Sequence, residues 1–341
     1  MTKNEAFLHL GDALPADIAR RRDMGDLEGA VRLIDQRLSG GKQPLLAPRL
    51  EAERVRLERL GHDYPFTRAE AIGQIRAEWP EFTEEQFDAL VDGGRIDWRM
   101  LGGEMHIHER FLESLRIYPR EAPGLRPEQA DHTERDAMLA RMEREGSLTA
   151  RITLRASIRA LVPVEGRAVQ AWLPIPAECL AQSEIELQSF TEQPGRIADA
   201  NAPQRTVCWE ADLTENRRFG VQYRYKTTAV YADPLDFVPA PEQPTFDTEE
   251  QAPHIVFTPY LRALAAQLTE GITDPAEKAK RIYDYVTLNV RYHYQPAYFV
   301  QECLPDRCAR DRRGDCGIMA LTFITLCRLV GIPARWQSGL S

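Results

Sequence analysis

No stretch of the 341-residue chain approaches eighteen consecutive apolar residues, so no membrane-spanning helix is predicted. The opening MTKNEAFLHLGDALPADIARR lacks the continuous apolar core of a secretory signal. Cysteine is scarce: six residues are too few for a disulfide scaffold and fit a reduced compartment, so the expected address is cytoplasmic. An excess of basic residues is also missing. Lys and Arg number 43 against 52 Asp and Glu, a net charge of −9, of which residues 1–150 carry −7 and residues 151–341 carry −2. A net-acidic chain is a poor general binder of nucleic acid or anionic membrane, and neither is expected as a partner. No fixed-period repeat is visible. What is present is ordinary globular composition, 43% hydrophobic and 28% charged, which excludes global disorder and collagen-like fibres. At about 150 residues per domain the length predicts two to three domains.

Residues 1–146 read as helical. Leu27, Val31, Ile34 and Leu38 fall at helical spacing before Gly40 and Gly41. Thr67 with Glu70, and Thr83 with Gln86, are two capping boxes that start short helices. Gly102 and Gly103 suit the turn of a small hairpin, and a further helix is expected over 131–146. The period then changes from helical to alternating. Ile152 to Val162, Val169 to Leu173, Ile185 to Leu187, Val207 to Ala211 and Phe219 to Tyr231 alternate as half-buried strands, which predicts a β-sandwich over 148–232. Pro234, Pro239, Pro241, Pro244 and Pro253 mark 233–253 as an extended linker. Helices return afterwards, with Thr258-Pro259 and Asp274-Pro275 as starts and Glu277 placed to complete a capping box.

The stretch RRGDCGIMALTFITLCRLVGIPARWQSGL, residues 312–340, carries the chemistry. A helix that begins at Asp315 or Cys316 is apolar almost all round, which predicts burial on every side. Gly331 and Pro333 end it, and Ala334 to Leu340 is expected as a strand. A cysteine in the first turn of such a helix sits where orphan N–H groups and the helix dipole favour a thiolate, the nucleophilic form. Gly314 and Gly317 leave room for a substrate carbonyl. Cys327, deeper in the same helix, reads as a small buried hydrophobe.

GDCGIMALTFITLCRLVGIPARWQSGL resembles the nucleophile segment of the transglutaminase-like superfamily, and the preceding AEKAKRIYDYVTLNVRYHY matches the helix before it. The resemblance covers about 255–341. It implies a papain-like α+β core in which cysteine attacks a carboxamide or peptide carbonyl and forms a thioester, histidine moves the protons and aspartate orients the histidine. No metal or cofactor is implied. The partner implied is a protein or peptide substrate. The sandwich with its AWLPIP strand resembles the β domain that often precedes this core in bacterial members. Cys316 is the catalytic residue carried over. The family's histidine and aspartate lie downstream of the cysteine, whereas residues 317–341 contain no His, Asp or Glu. They are therefore expected beyond Ser341, which makes this a truncated core, inactive alone and open to self-association through its incomplete face. His293 is the nearest histidine in sequence and reads as structural. Tyr292, Tyr294 and Gln295 are alternative candidates for an oxyanion donor.

The fold expected is multidomain α+β. A helical domain over 1–146 is followed by the β-sandwich over 148–232, the proline-rich linker over 233–253 and the N-terminal half of a transglutaminase-like core over 254–341. Three weaker signals were weighed. Cys303, Cys308 and Cys316 are spaced too loosely for zinc, and a 303–308 disulfide is little better founded. His106 and His108 fall on one side of a strand but lack further ligands nearby. Residues 67–108 have the outline of a winged helix, yet carry a net −5, the wrong sign for phosphate, so a protein-recognition domain or a lid over the core is expected there instead. The function expected is thiol acyl transfer, as protease, amidase or amide-exchange enzyme. The alternative is a degenerate, non-catalytic scaffold of the same family that binds protein.

Overall fold

The computed structural model describes residues 7–41, 43–127, 132–160, 166–202, 204–213, 215–232, 238 and 244–337, and it is a mixed α+β structure. Its contacts divide the chain into two units, one of residues 1–129 with 238–335 and one of 130–237 with 336–341. The N-terminal helical region and the C-terminal segment, far apart in sequence, thus share the first unit.

In that unit α1 (Ala16–Asp23), α2 (Leu27–Gly40) and α3 (Ala47–Asp63) enclose a core of Ile18, Ala30, Ile34, Leu50 and Leu57. The α2 periodicity ends where Gly41 adopts φ 59°, a conformation glycine takes without strain. On α3, Glu53 is fully buried between Arg49 and Arg56, whose guanidinium groups donate to it at 2.8 and 2.9 Å. Strand β1 (Phe66–Thr67) leads into α4 (Arg68–Glu78) and α5 (Glu84–Asp92), and both predicted capping boxes are formed. Strands β2 (Trp98–Leu101) and β3 (Glu104–Ile107) make the hairpin, with Gly102 at φ 60° and Gly103 at φ 91° as a two-residue turn requires. β1 pairs with the other edge of β3, and α6 (Phe111–Arg116) follows. Ile72, Ile75, Phe87, Ile96, Ile107 and Phe111 meet in one core.

In the second unit α7 (Thr133–Glu145) precedes β4 (Ser147–Arg159), β5 (Arg167–Pro174), β6 (Gln182–Phe190), β7 (Arg196–Ile197), β8 (Thr206–Leu213) and β9 (Arg218–Val230). They form two three-stranded antiparallel sheets, β4-β9-β6 and β5-β8-β7. Leu173, Val207 and Trp209 of one sheet and Phe219, Val221 and Tyr223 of the other share one core, the face that the alternation predicts.

The first unit resumes with α8 (Pro259–Leu268), α9 (Pro275–Asn289), β10 (Arg291–Tyr292), α10 (Leu304–Asp311), β11 (Arg313–Gly314) and α11 (Cys316–Leu329). Thr258 caps α8. Asp274 caps α9 by accepting from Ala276 N–H, one position earlier than the predicted box with Glu277. The end of the proline-rich stretch is packed rather than free: the Glu249 carbonyl accepts from Arg328 at 2.8 Å and the Asp247 carbonyl from Ala334 N–H at 3.0 Å. Pro234, Pro239 and Pro241 lie outside the described residues. The strand expected over 334–340 does not form in its described part. Residues 334–337 have no strand neighbour among the described residues, and alternation without a partner makes no ladder. Residues 338–340 lie outside the described residues.

Candidate active site

Three short elements position the first turn of α11. Arg312, at φ 51°, turns the chain out of α10 into β11. β11 pairs in parallel with β10, Arg291 opposite Arg313 and Tyr292 opposite Gly314. Two bonds flank the pair: Arg291 N–H donates to Arg312 O at 2.8 Å and His293 N–H to Gly314 O at 2.9 Å. Asp315 then caps the helix, its Oδ1 accepting from Ile318 N–H at 3.0 Å and from the Tyr298 hydroxyl at 2.5 Å. Cys316, the first helical residue, is exposed. Of the α11 residues, Cys316 and Ala320, one turn apart, are the exposed ones, so the expected burial holds everywhere except along that narrow face. Gly317 is required by close approach: a Cβ there would lie 2.1 Å from the Tyr298 hydroxyl oxygen. At Gly314 it would lie 3.1 Å from Ile318 and 3.2 Å from Cys308 Sγ.

The Tyr292 hydroxyl lies beside the Cys316 thiol. Burial pushes this phenol up to about 12, and the neighbouring Cys316, Tyr294 and Asp315 act in the same direction. It is therefore protonated at neutral pH and can serve as a donor. Burial, and then the bond to Asp315, also raise the Tyr298 hydroxyl. Of the sequence-derived oxyanion candidates, Tyr292 is thus the one whose hydroxyl is influenced by the cysteine. Gln295 turns its amide to the His293 carbonyl at 3.3 Å, and Tyr294 lies under the Arg110 guanidinium, 3.4 Å from its ring centroid. Tyr298 was not singled out from the sequence. Its signal was the paired occurrence of an aromatic after NVRYHYQP and a glycine beside the cysteine.

His293 is completely buried. Its Nδ1 lies 2.6 Å from Tyr294 O and its Nε2 3.1 Å from Arg95 O, so both ring nitrogens face backbone carbonyls and neither is free for Cys316. Burial holds its pKa below the ordinary histidine value, against the pull of Asp97.

The N-terminal helical region supports the strand that carries Tyr292. Tyr292 N–H donates to the Tyr118 hydroxyl at 3.0 Å, and Tyr294 N–H to Ser114 Oγ at 3.2 Å. Ala297 N–H donates to Asp63 at 3.1 Å. Arg313 donates to Gly94 O at 2.9 Å and to Asp97 at 3.3 Å. Asp97 is buried, which alone would raise its pKa. Arg313, Arg307 and the Tyr64 hydroxyl, 2.6 Å away, hold it below the ordinary carboxylate value instead.

The remaining candidates do not assemble into sites. All six cysteines are free thiols. Burial pushes Cys308 up to about 11 and Cys327 up to about 12, and Cys303 is raised for the same reason. His106 Nδ1 lies 3.2 Å from Tyr64 O, and His108 is buried with Nδ1 accepting from Arg110 N–H at 3.3 Å. Among the described residues no group of three or more His, Cys, Asp or Glu is arranged to hold a metal ion. No helix among them is long and apolar enough to cross a membrane.

Comparison with known proteins agrees with the motif. The family of the transglutaminase-like superfamily core matches residues 262–341. No curated protein matches the chain. A solved structure from Cytophaga hutchinsonii, provisionally assigned as a cysteine protease, aligns over 55% of this chain and 67% of its own at 19% identity and a TM-score of 0.40, a likeness too distant to carry a fold or an activity across. The segment that presents Cys316 thus lies within the stretch that matches the transglutaminase-like superfamily core.

Proposed function

We propose that Cys316 is the nucleophile of a thiol acyl-transfer reaction on a protein or peptide carboxamide. The observation that carries the reading is the exposed cysteine in the first turn of an otherwise buried helix, with a protonated tyrosine hydroxyl beside it. Sγ attacks the carbonyl carbon and the developing oxyanion takes hydrogen bonds. The C–N bond then breaks, the amine leaves with the proton given up by the Cys316 thiol, and the acyl group remains as a thioester for water or another amine to remove. Two sources of donors are at hand. Asp315 takes the Ile318 N–H, which leaves the N–H groups of Cys316 and Gly317 without intrahelical partners. The Tyr292 hydroxyl beside the cysteine is the third donor, turned to the oxyanion as charge develops. Asp315 and Tyr298 hold the helix start and touch no reacting atom. The chemistry as proposed uses no metal or cofactor.

Around this centre, the two-sheet unit is read as a β-sandwich accessory domain, and six unpaired thiols suit a reducing compartment such as the cytoplasm.

A second reading, the non-catalytic scaffold, has one observation in its favour: the histidine nearest Cys316 in sequence is locked between two carbonyls. Alkylation separates the two. Cys179 is also exposed and serves as an internal control. With limiting iodoacetamide at pH 6, the enzyme reading expects Cys316 to label well ahead of Cys179, and a peptidyl thioester at Cys316 to appear by intact mass with an activated peptide ester. Equal labelling of the two cysteines and no thioester would leave the scaffold.

A further inference from the structure

The first unit holds a cavity of about 670 Å³ bounded by α3, β2 and the segment from Val300 to β11. Its volume is that of a ligand pocket rather than a packing defect. Five arginines line it, Arg22, Arg56, Arg99, Arg307 and Arg313. The acids of its wall are Asp23, Asp97 and Glu302, so the lining carries two positive charges more than negative, in a chain whose net charge is −9. Behind the wall Glu53 pairs with Arg49 and Arg56, and Asp311 meets Arg307, so with these included the surroundings remain net positive by one charge.

The arginines are not equally committed. Arg56 donates to Glu53, to Glu302 at 3.0 Å and to Val300 O at 2.9 Å. Arg22 is taken by Asp23 at 2.9 Å, and Arg313 by Gly94 O and Asp97. Arg99 is different: among the described residues no carboxylate forms an ion pair with it, and its guanidinium lies 5.9 Å from the Tyr64 ring centroid. Arg307 donates to Gln301 at 3.0 Å and meets Asp311 at 3.4 Å, long for a charge-assisted pair. Two guanidinium forks therefore retain unused donors. Between them the lining is apolar at Leu60, Leu101 and Val300, and Trp98 and Met100 are 40% and 44% exposed.

We infer that this cavity binds an acidic peptide segment, with two carboxylates on Arg99 and Arg307 and an apolar side chain over Leu60 and Val300. Guanidinium forks match planar carboxylates, one for each fork with unused donors, whereas a nucleoside triphosphate would far exceed the small positive surplus. The inference stands apart from the thiol chemistry and does not depend on it.

Calorimetric titration of the full chain at low ionic strength tests it. The probe is a blocked Glu-Leu-Glu tripeptide, with blocked Gln-Leu-Gln, inorganic phosphate and ATP as comparisons. Binding of the acidic peptide alone is expected. Arg99→Gln and Arg307→Gln should each weaken it about tenfold or more, as loss of a charge-assisted pair does. Arg32→Gln, at the exposed Arg32–Glu28 pair of α2, should leave it unchanged. Arg99 and Arg307 are chosen over Arg313 because neither holds a buried carboxylate by a direct bond, and circular dichroism checks that both variants fold. No binding of the acidic peptide, equal binding of the glutamine peptide, wild-type affinity in both variants, or displacement by phosphate or ATP at the same concentration would each overturn the inference.

Discussion

Gly317 has no room for a methyl group, because the Tyr298 hydroxyl occupies the space where it would go. Gly317→Ala is expected to lower stability by about 1–3 kcal/mol through overpacking and to break the Tyr298–Asp315 bond. Adding Tyr298→Phe removes the nearest clashing atom and should recover part of the loss, which thermal unfolding of the two variants checks. Tyr292→Phe is a different experiment. It removes a donor without crowding anything, so the fold should persist while thioester formation at Cys316 slows by about 10²–10³, the usual cost of one oxyanion donor. Unchanged acylation in that variant would remove Tyr292 from the mechanism. At this scale Cys316 and its two glycines were legible in one continuous phrase. The choice of Tyr292 among three neighbours was not, because it depends on which side of a two-residue strand faces the cysteine, and two residues carry no readable period.

The strand that carries Tyr292 would otherwise present unpaired donors along its outer edge. Tyr118 and Ser114, contributed by the chain some 175 residues earlier, accept them instead. Ser114 is fully buried, so Ser114→Ala leaves the Tyr294 N–H without its acceptor in a site closed to water. A loss of about 1–3 kcal/mol is expected. Hydrogen exchange should report faster exchange at Tyr294 in this variant and at Tyr292 in Tyr118→Phe, with little change along α11. Long elements were legible from their patterns. The strict alternation of Ile152 to Ile158 gave β4, and two threonines placed three residues before Glu70 and Gln86 gave both capping boxes. The short parallel pair β10–β11 was not legible, and neither was the failure of 334–337 to form a strand. In both, the outcome is set by what lies beside the segment rather than by the segment itself.

The first unit buries charge on a scale that the net composition hides. Glu53 and Asp63 are fully buried, Asp97 is nearly so, and each is matched by arginine. Removing one member of such a group strands the others, so Glu53→Gln should cost about 3–5 kcal/mol in chemical denaturation. Stability should also depend on pH. The native pKa of Asp97 lies below its ordinary 3.8, so its contribution is complete above that value and is lost as pH falls through the lowered one. His108 and His293 are lowered from 6.5 by burial, and the unfolded chain gains their protons first as pH drops below that value. All three shifts have the same sign. The denaturation midpoint is therefore expected to fall steadily from pH 7 to pH 3, and a flat profile would contradict the assignment. Because this unit is assembled from residues 1–129 and 238–335, it also has a history on the ribosome. At about 5–20 residues per second, the roughly 200 residues between residue 129 and residue 335 take about 10–40 s to synthesise. During that interval Asp97 is without Arg313 and Arg307, and the helical half must wait with a buried charge uncompensated. Slowing translation between the two halves should therefore lower the yield of folded protein, which the soluble fraction after synthesis at two elongation rates checks.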